Sequence, residues 1–352
     1  SALSGATALA AGGFHSLGLK ADGTVWAWGG NGEGELGDGT TTTRSIPVQV
    51  AGLSGMAAVA AGWQHSLALR LDGTVWAWGD NSHGQLGIGM LSVQSLPPVQ
   101  VRDPRDRTGF LTGVTAIAAG IVHNVALKAD GTVWAWGNSD QGQVGDGTFG
   151  LNNIKPTPIQ VRGPGGIPFP APVTAVAAWG FHSLVLLAND TVWAWGQNID
   201  AQLGDNTTAR KATPVQVHAL ANVMGIAAGG RHSLAMRFDG TVWAWGSNHF
   251  GQVGDGTPVN IWLTPRPVGD PRDPTWFQTG ATALAAGVEH NLAVKSDGTV
   301  WAWGRNTAGE LGNGSTTHAR APVQVQDTGP QGLFLMGTTA IAAGAHSLAV
   351  LP

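Results

Sequence analysis

The chain has 352 residues, with 18 Lys plus Arg against 22 Asp plus Glu, a net charge of −4, 54 Gly, 16 Trp, no Tyr and no Cys. Charged residues make up 11% where an ordinary globular domain carries about 25%, so no basic field exists for phosphate backbones and a general nucleic-acid binder is excluded. Without cysteine there is no disulfide, zinc–thiolate site or cysteine nucleophile, and no apolar run approaches the ~18 residues of a membrane span.

Taken from the N-terminus, Ser1 to Gly5 lack the charged region and apolar core of a signal peptide, which leaves room for one already removed. The elements that follow recur, and one copy describes them all. Strand A is alanine-rich, as in Thr115–Ala119, and runs into Ala-Ala-Gly-x-x-His. Strand B is His-Ser-Leu-Ala-Leu, as in His65–Leu69, with Leu67 and Leu69 on one face and Ser66 and Ala68 on the other. An Asp-Gly pair such as Asp72–Gly73 then predicts a hairpin, because that turn requires a positive φ. Repeat four carries Asn189-Asp190 there and keeps the hairpin by another turn. Strand C is Thr-Val-Trp-Ala-Trp, with both indoles on one face, and strand D is Pro-Val-Gln-Val or a near variant, as in Pro47–Val50.

The period is read from the histidines His15, His65, His123, His182, His232, His290 and His346, spaced 50 to 59 residues apart. Tryptophan pairs follow the first six: Trp26/Trp28, Trp76/Trp78, Trp134/Trp136, Trp193/Trp195, Trp243/Trp245 and Trp301/Trp303. One sheet of four short strands cannot bury both faces, whereas radial stacking of such sheets in a closed ring does. There are seven A–B pairs but six C and six D strands, and the chain starts on one A–B pair (Ala6–Lys20) and finishes on another (Thr338–Val350). The expected fold is all-β, a seven-bladed β-propeller with one incomplete blade, forming a single domain over 1–352. Six blades with an overlapping closure is the alternative count.

The unit Thr-Val-Trp-Ala-Trp-Gly-x-Asn-x-x-Gly-Gln-Leu-Gly-Asp-Gly-Thr, then Pro-Val-Gln-Val, then Ala-Ile-Ala-Ala-Gly-x-x-His-Ser-Leu-Ala-Leu resembles the regulator of chromosome condensation repeat, over essentially the whole chain. The resemblance implies a seven-bladed propeller. It does not imply one function, since relatives include a nucleotide exchange factor, a plant UV-B photoreceptor and bacterial inhibitor proteins.

A metal site needs three or four ligands converging within about 2 Å of one ion, and one histidine per blade spreads around a wide circle instead. The histidines are expected to satisfy a backbone group of the adjacent blade. The Gly-Asp-Gly-Thr segments at Asp38, Asp146 and Asp255 lack the alternating oxygen ligands of a calcium loop and read as Asx turns. Serines beside the histidines, such as Ser16 and Ser66, point to the opposite face of their strand and make no Ser–His pair within the repeat. Only four glutamates exist, Glu33, Glu35, Glu289 and Glu310, none placed opposite a recognisable partner. The expectation is no catalytic residues, no metal, no cofactor and no enzyme.

Specificity in a repeat scaffold is written in the positions that vary. Those just before each histidine are Phe14, Trp63, Gln64, Ile121, Val122, Phe181, Arg231, Val288 and Glu289, with Trp179 replacing the usual glycine of repeat four. All fall in A–B turns, which the fold gathers on one face of the disc. An apolar rim with Arg231 and Glu289 interspersed is expected to bind another protein; the competing reading folds these side chains inward to plug the channel. The long D–A linkers 102–113, 162–172, 269–280 and 326–337 are expected to cover blade edges. The resulting functional expectation is a rigid, non-enzymatic interaction scaffold, bacterial and extracellular or cell-surface, otherwise cytoplasmic. Its partner is a protein rather than nucleic acid, and it does not insert into membranes. The alternatives are a tryptophan photoreceptor, for which only Gly62-Trp63-Gln64-His65-Ser66 comes near the plant relative's motif, and a nucleotide exchange factor for a small GTPase.

Overall fold

In each repeat the alternation of leucine and valine with small residues makes strands of four to eight residues, and a computed structural model shows how they stack. It describes residues 3–92, 94–103, 105–269, 280–327 and 334–350. In blade 1, strand A is Ala6–Ala11, B is His15–Lys20, C is Val25–Gly29 and D is Arg44–Gln49, in sheet order A-B-C-D with antiparallel neighbours. Five further four-stranded sheets repeat that order. The only helical element among the described residues is a single 3-10 turn, Pro164–Gly166. No helix among them is long and apolar enough to cross a membrane.

The chain is therefore a β-propeller, with six blades rather than the seven expected. A blade needs four strands, and the last A–B pair supplies only Ala340–Ala343 and Ser347–Val350, a two-stranded sheet. That sheet packs on strands A and B of blade 6 and on strand A of blade 1, so it closes the ring between them.

Two local rules shape every blade. The B–C loop is held by the aspartate preceding glycine: Asp22 Oδ1 accepts Thr24 N at 2.9 Å and Thr24 Oγ1 at 2.6 Å. In repeat four Asn189 takes the acceptor role and Asp190 the positive φ, 62°. The glycine after the second tryptophan sits where the C–D register shifts, at φ 104° for Gly29. A Cβ there would lie 2.4 Å from Phe14 O, so no side chain fits. Strand D carries prolines such as Pro47, Pro98 and Pro214, which an outer edge tolerates because no further strand needs the missing N–H.

The core lies between sheets. The second indole of strand C is fully buried in blades 2 to 6 (Trp78, Trp136, Trp195, Trp245, Trp303). It packs against the small strands of its neighbour, as Trp78 does with Leu17, Val25 and Ala27 of blade 1. The first indole is half-buried and stacked by cations, with Arg237 3.9 Å from Trp243 and Arg70 4.9 Å from Trp76. The long linkers cover edges as expected where they are described. Leu111 is fully buried in the core beside Trp136, and Arg105 lies 4.1 Å over Trp134. Residues 270–279 of the third linker lie outside the described residues.

Candidate functional site

Six of the histidines open strand B and are buried, His346 stands just before Ser347–Val350 and is half-buried, and each of the seven reaches the next blade. His15 Nε2 lies 2.8 Å from Ser66 Oγ, His65 2.8 Å from Asn124 Oδ1 and His123 2.9 Å from Ser183 Oγ. His182 meets Ser233 at 2.9 Å, His232 meets Asn291 at 2.6 Å and His290 meets Ser347 at 2.8 Å. His346 closes the circle on Ser16 at 2.6 Å. The expectation of a contact to the adjacent blade was right, but the partner is a side chain, not the backbone.

The direction of these bonds fixes their chemistry. Ser66, Ser183 and Ser233 donate their hydroxyls to the carbonyls of Glu35, Gln143 and Gln202 at 2.8–3.0 Å, so each serine oxygen accepts from histidine Nε2–H. A nucleophilic serine needs the opposite polarity and solvent access, so these are not nucleophile–base pairs. Burial holds the imidazoles neutral: the pKa values of His15, His123 and His182 fall to about 3, and those of His232 and His290 to about 4. Neighbouring histidines push His15, His123 and His182 further in the same direction.

The Gly-Asp-Gly-Thr segments are Asx turns: Asp38 Oδ1 accepts Thr40 N at 2.9 Å, and Arg44 pairs with Asp38 at 2.8 Å. An organiser that sequence reasoning passed over is the asparagine after strand C. Asn31 Oδ1 accepts Leu36 N at 2.9 Å while its Nδ2 donates to the carbonyls of Thr40 and Thr42 at 3.0 and 3.1 Å. Its recurrence at Asn81, Asn198, Asn248 and Asn306 was the available signal.

The A–B turns form a ring on one face. Gly13 N donates to the carbonyls of Gly62 and Trp63, Ile121 N to Gly180, Gly230 N to Gly287 and Val288, Val288 N to Gly344, and Ala345 N to Gly12. The variable residues divide into three groups on this ring. Phe14 is 62% exposed and Arg231 is exposed; these stand out into solvent. Trp63, Gln64, Ile121, Val122, Phe181, Val288 and Glu289 are half-buried. Trp179 is buried at 3% exposure, and Trp63 and Val288 pack against its cluster.

Trp179 therefore corrects the picture of a continuous apolar rim. It occupies the position held by glycine in other repeats, extends strand A to Val173–Trp179, and leaves Gly180 to make the turn at φ 53°. Its side chain lines a central channel of about 320 Å³, whose remaining wall is largely strand-A alanines from all six blades and the closing sheet. The inward plug holds for Trp179, with Trp63 leaning on it. Trp63 also meets Phe14 edge-on, with centroids 5.3 Å apart. The rim carries charge in two ion pairs, Arg231–Asp200 at 3.4 Å and Arg305–Glu289 at 2.7 Å. Beside Gln64 an open cleft of about 540 Å³ runs past Glu33, Asp80 and Leu91.

The fold is a propeller whose recurring histidines, serines and asparagines make inter-blade bonds and whose variable side chains gather on one face. The RCC1-like domain family model matches residues 2–350, and the chain belongs to that family. It is 32% identical over 215 residues to the human probable E3 ubiquitin-protein ligase HERC3, a match that spans 60% of this chain and 19% of that protein. Human WBSCR16 shares the fold at a TM-score of 0.82 and 25% identity, covering 99% of this chain and 87% of that one. Yeast RCC1 (Prp20), solved bound to Kap60, superposes at a TM-score of 0.80 with 23% identity over 98% of this chain and 80% of that one.

Proposed function

We propose that the chain is a non-enzymatic protein-interaction scaffold that engages a partner protein through the A–B turn face. The observation that carries this reading is Phe14, 62% exposed and braced edge-on by Trp63, on the same face as the exposed Arg231. An aromatic held rigid by its neighbour, with arginine nearby, has the composition of a binding anchor. The turn-to-turn hydrogen bonds made by Gly13 N and Gly230 N, next to Phe14 and Arg231, support it by fixing that backbone before a partner arrives, which lowers the ordering cost of association.

The photoreceptor alternative gains no support. The second strand-C indoles of blades 2 to 6 are enclosed packing elements, and Trp63 is engaged with Phe14 and the Trp179 cluster. Exchange on a small GTPase ranks behind the scaffold, because the C–D loops are tied down internally by Asn31 and its counterparts.

The test is a pull-down from the native host with the Phe14→Asp/Arg231→Glu double variant. Both residues are exposed, so the melting temperature should stay within a degree or two of the parent. Loss of a specifically captured protein supports this face, and undiminished capture overturns it.

A further inference from the structure

The outer clefts between successive blades share one plan. The C–D loop of one blade lies against the start of strand D of the next: Gly89 N donates to Pro156 O, Gly147 N to Ala212 O, Asn206 N to Leu263 O and Gly256 N to Arg320 O. In blade 2 the same position is Leu96, which a Cβ on Gly34 would meet at 2.8 Å. The position is uncharged in blades 2 to 5, and blade 6 alone places a cation there. Arg320 has no ion pair among the described residues; Asp255 of the facing loop turns to Thr257 instead.

A second substitution works in the same direction. In blades 1, 3 and 4 the aspartate of the C–D loop pairs with a cation near the start of strand D: Asp38 with Arg44 at 2.8 Å, Asp146 with Lys155 at 2.8 Å and Asp205 with Lys211 at 3.4 Å. Blade 6 carries Asn313 and Ala319 in those two places. Asn313 Oδ1 accepts Asn306 Nδ2 at 3.1 Å and Ser315 N at 3.2 Å, as Asp38 Oδ1 accepts Asn31 Nδ2 and Thr40 N. The Asn313 amide nitrogen therefore stands where Asp38 Oδ2 accepts Arg44 Nε at 2.9 Å. A donor has replaced an acceptor.

Asn313 and Arg320 line one cleft of about 600 Å³ with His318, Ser315 and Phe250, and no aspartate or glutamate lines it. His318 Nδ1 accepts Asn306 N at 3.1 Å, so the imidazole proton sits on the exposed Nε2. Ser315 Oγ accepts Thr317 N at 2.9 Å, which leaves its O–H to donate outward. Arg320 spends three donors on the carbonyls of Asn248, His249 and Thr257 at 3.2–3.5 Å, and its Nε–H meets no acceptor among the described residues. Phe250 meets His318 edge-on, with centroids 4.8 Å apart, and forms an apolar wall beside these donors.

We propose that this cleft is a binding site for a phosphate monoester. Such a group carries about −1.5 to −2 charge and three strong acceptor oxygens. It matches a guanidinium, an imidazole N–H, an amide and a hydroxyl that have no anion of their own, where a carboxylate offers one charge and two oxygens. The carbon side of the ester rests against Phe250. Free phosphate and a phosphorylated side chain share this chemistry, and the probes below separate them.

The experiment is a phosphorus-31 NMR titration of the full chain with two probes, inorganic phosphate and the peptide amide Ac-Gly-phosphoserine-Gly. Saturable line broadening of at least one probe is expected, with affinity falling about ten-fold or more in Asn313→Asp and in Arg320→Leu, the scale of a lost charge-assisted bond. Both variants install what sister blades carry, the aspartate of Asp38 and the leucine of Leu96 and Leu263, so an unchanged melting temperature is expected. Arg231→Glu, a larger change of net charge on the A–B turn face, is expected to leave binding intact, so that this cleft and the proposed partner face stand or fail separately. Broadening of the peptide alone assigns the cleft to a phosphorylated chain, and broadening of both probes assigns it to the phosphate group itself. No broadening of either probe, or equal affinity in Asn313→Asp, overturns the proposal.

Discussion

A histidine placed once per repeat acts here as a neutral crosslink whose proton sits on Nε2. With Nδ1 of His15, His65, His123, His182 and His232 left without a partner, protonation would put a second donor where nothing accepts it. The folded-state pKa lies at about 3 for His15, His123 and His182 and at about 4 for His232 and His290, below the usual 6.5. The unfolded chain therefore binds more protons than the folded one between those values. Stability is fully present above about pH 6.5 and is lost as the pH falls toward 4, by up to about 1.4 kcal/mol per pH unit for each such histidine. Aspartates such as Asp22, whose carboxyl is held below the usual range by Thr24, contribute in the same direction only at lower pH. A steep decline in melting temperature from pH 7 to 4 is expected, shallower in His182→Asn by one histidine's share. A flat profile over that window would contradict neutral burial. The structural role was legible from the recurrence. The partner was not, because Ser233 stands 51 residues from His182 and only radial stacking brings them together.

At the scale of strands and loops, one interface recurs with differences between blades, and that allows a controlled comparison. Trp195 is enclosed and bonded to Gln143 O, while Trp28 is half-buried and meets no loop carbonyl among the described residues. Trp195→Ala is expected to cost roughly 3–5 kcal/mol in denaturant unfolding and Trp28→Ala clearly less. Equal costs would mean that indole burial between blades is not the main term. The glycines give a second pair. Gly145 and Gly312 both have positive φ, 78° and 59°, but only Gly145 lies against an indole. Both alanine variants carry the backbone strain, and Gly145→Ala adds overpacking of roughly 1–3 kcal/mol. The strands, their order and the Asp-Gly hairpins were readable, since they follow from period-2 patterning and turn chemistry. Trp179 was misplaced on the rim because one residue standing for glycine changed the turn: strand A gained a residue and the indole swung into the channel.

For the whole molecule, the question is what closes a ring built from unequal parts. The seven histidines made the radial repeat visible, but counting A–B pairs overcounted blades, since a blade also needs the C–D hairpin that shields the next one. The closing sheet does its work through few contacts: Val288 N to Gly344 O, Ala345 N to Gly12 O, His290 to Ser347 and His346 to Ser16. Removing residues 338–352 would leave His290 and Ser16 buried without partners and expose the alanine faces of blades 1 and 6 together. Nearest-neighbour coupling dominates repeat stability, so damage at that junction should spread from both of its sides. Truncation is expected to lower the melting temperature and to split one transition into a broader or two-step unfolding, with early hydrogen exchange at Ala6–Ala11 and Ala281–Ala286. Ser16→Ala, which removes one hydroxyl and leaves the sheet in place, should shift the midpoint while keeping a single transition. If truncation also preserved a single sharp transition, the six blades would be stable as an open arc and the closing sheet would be dispensable to the ring.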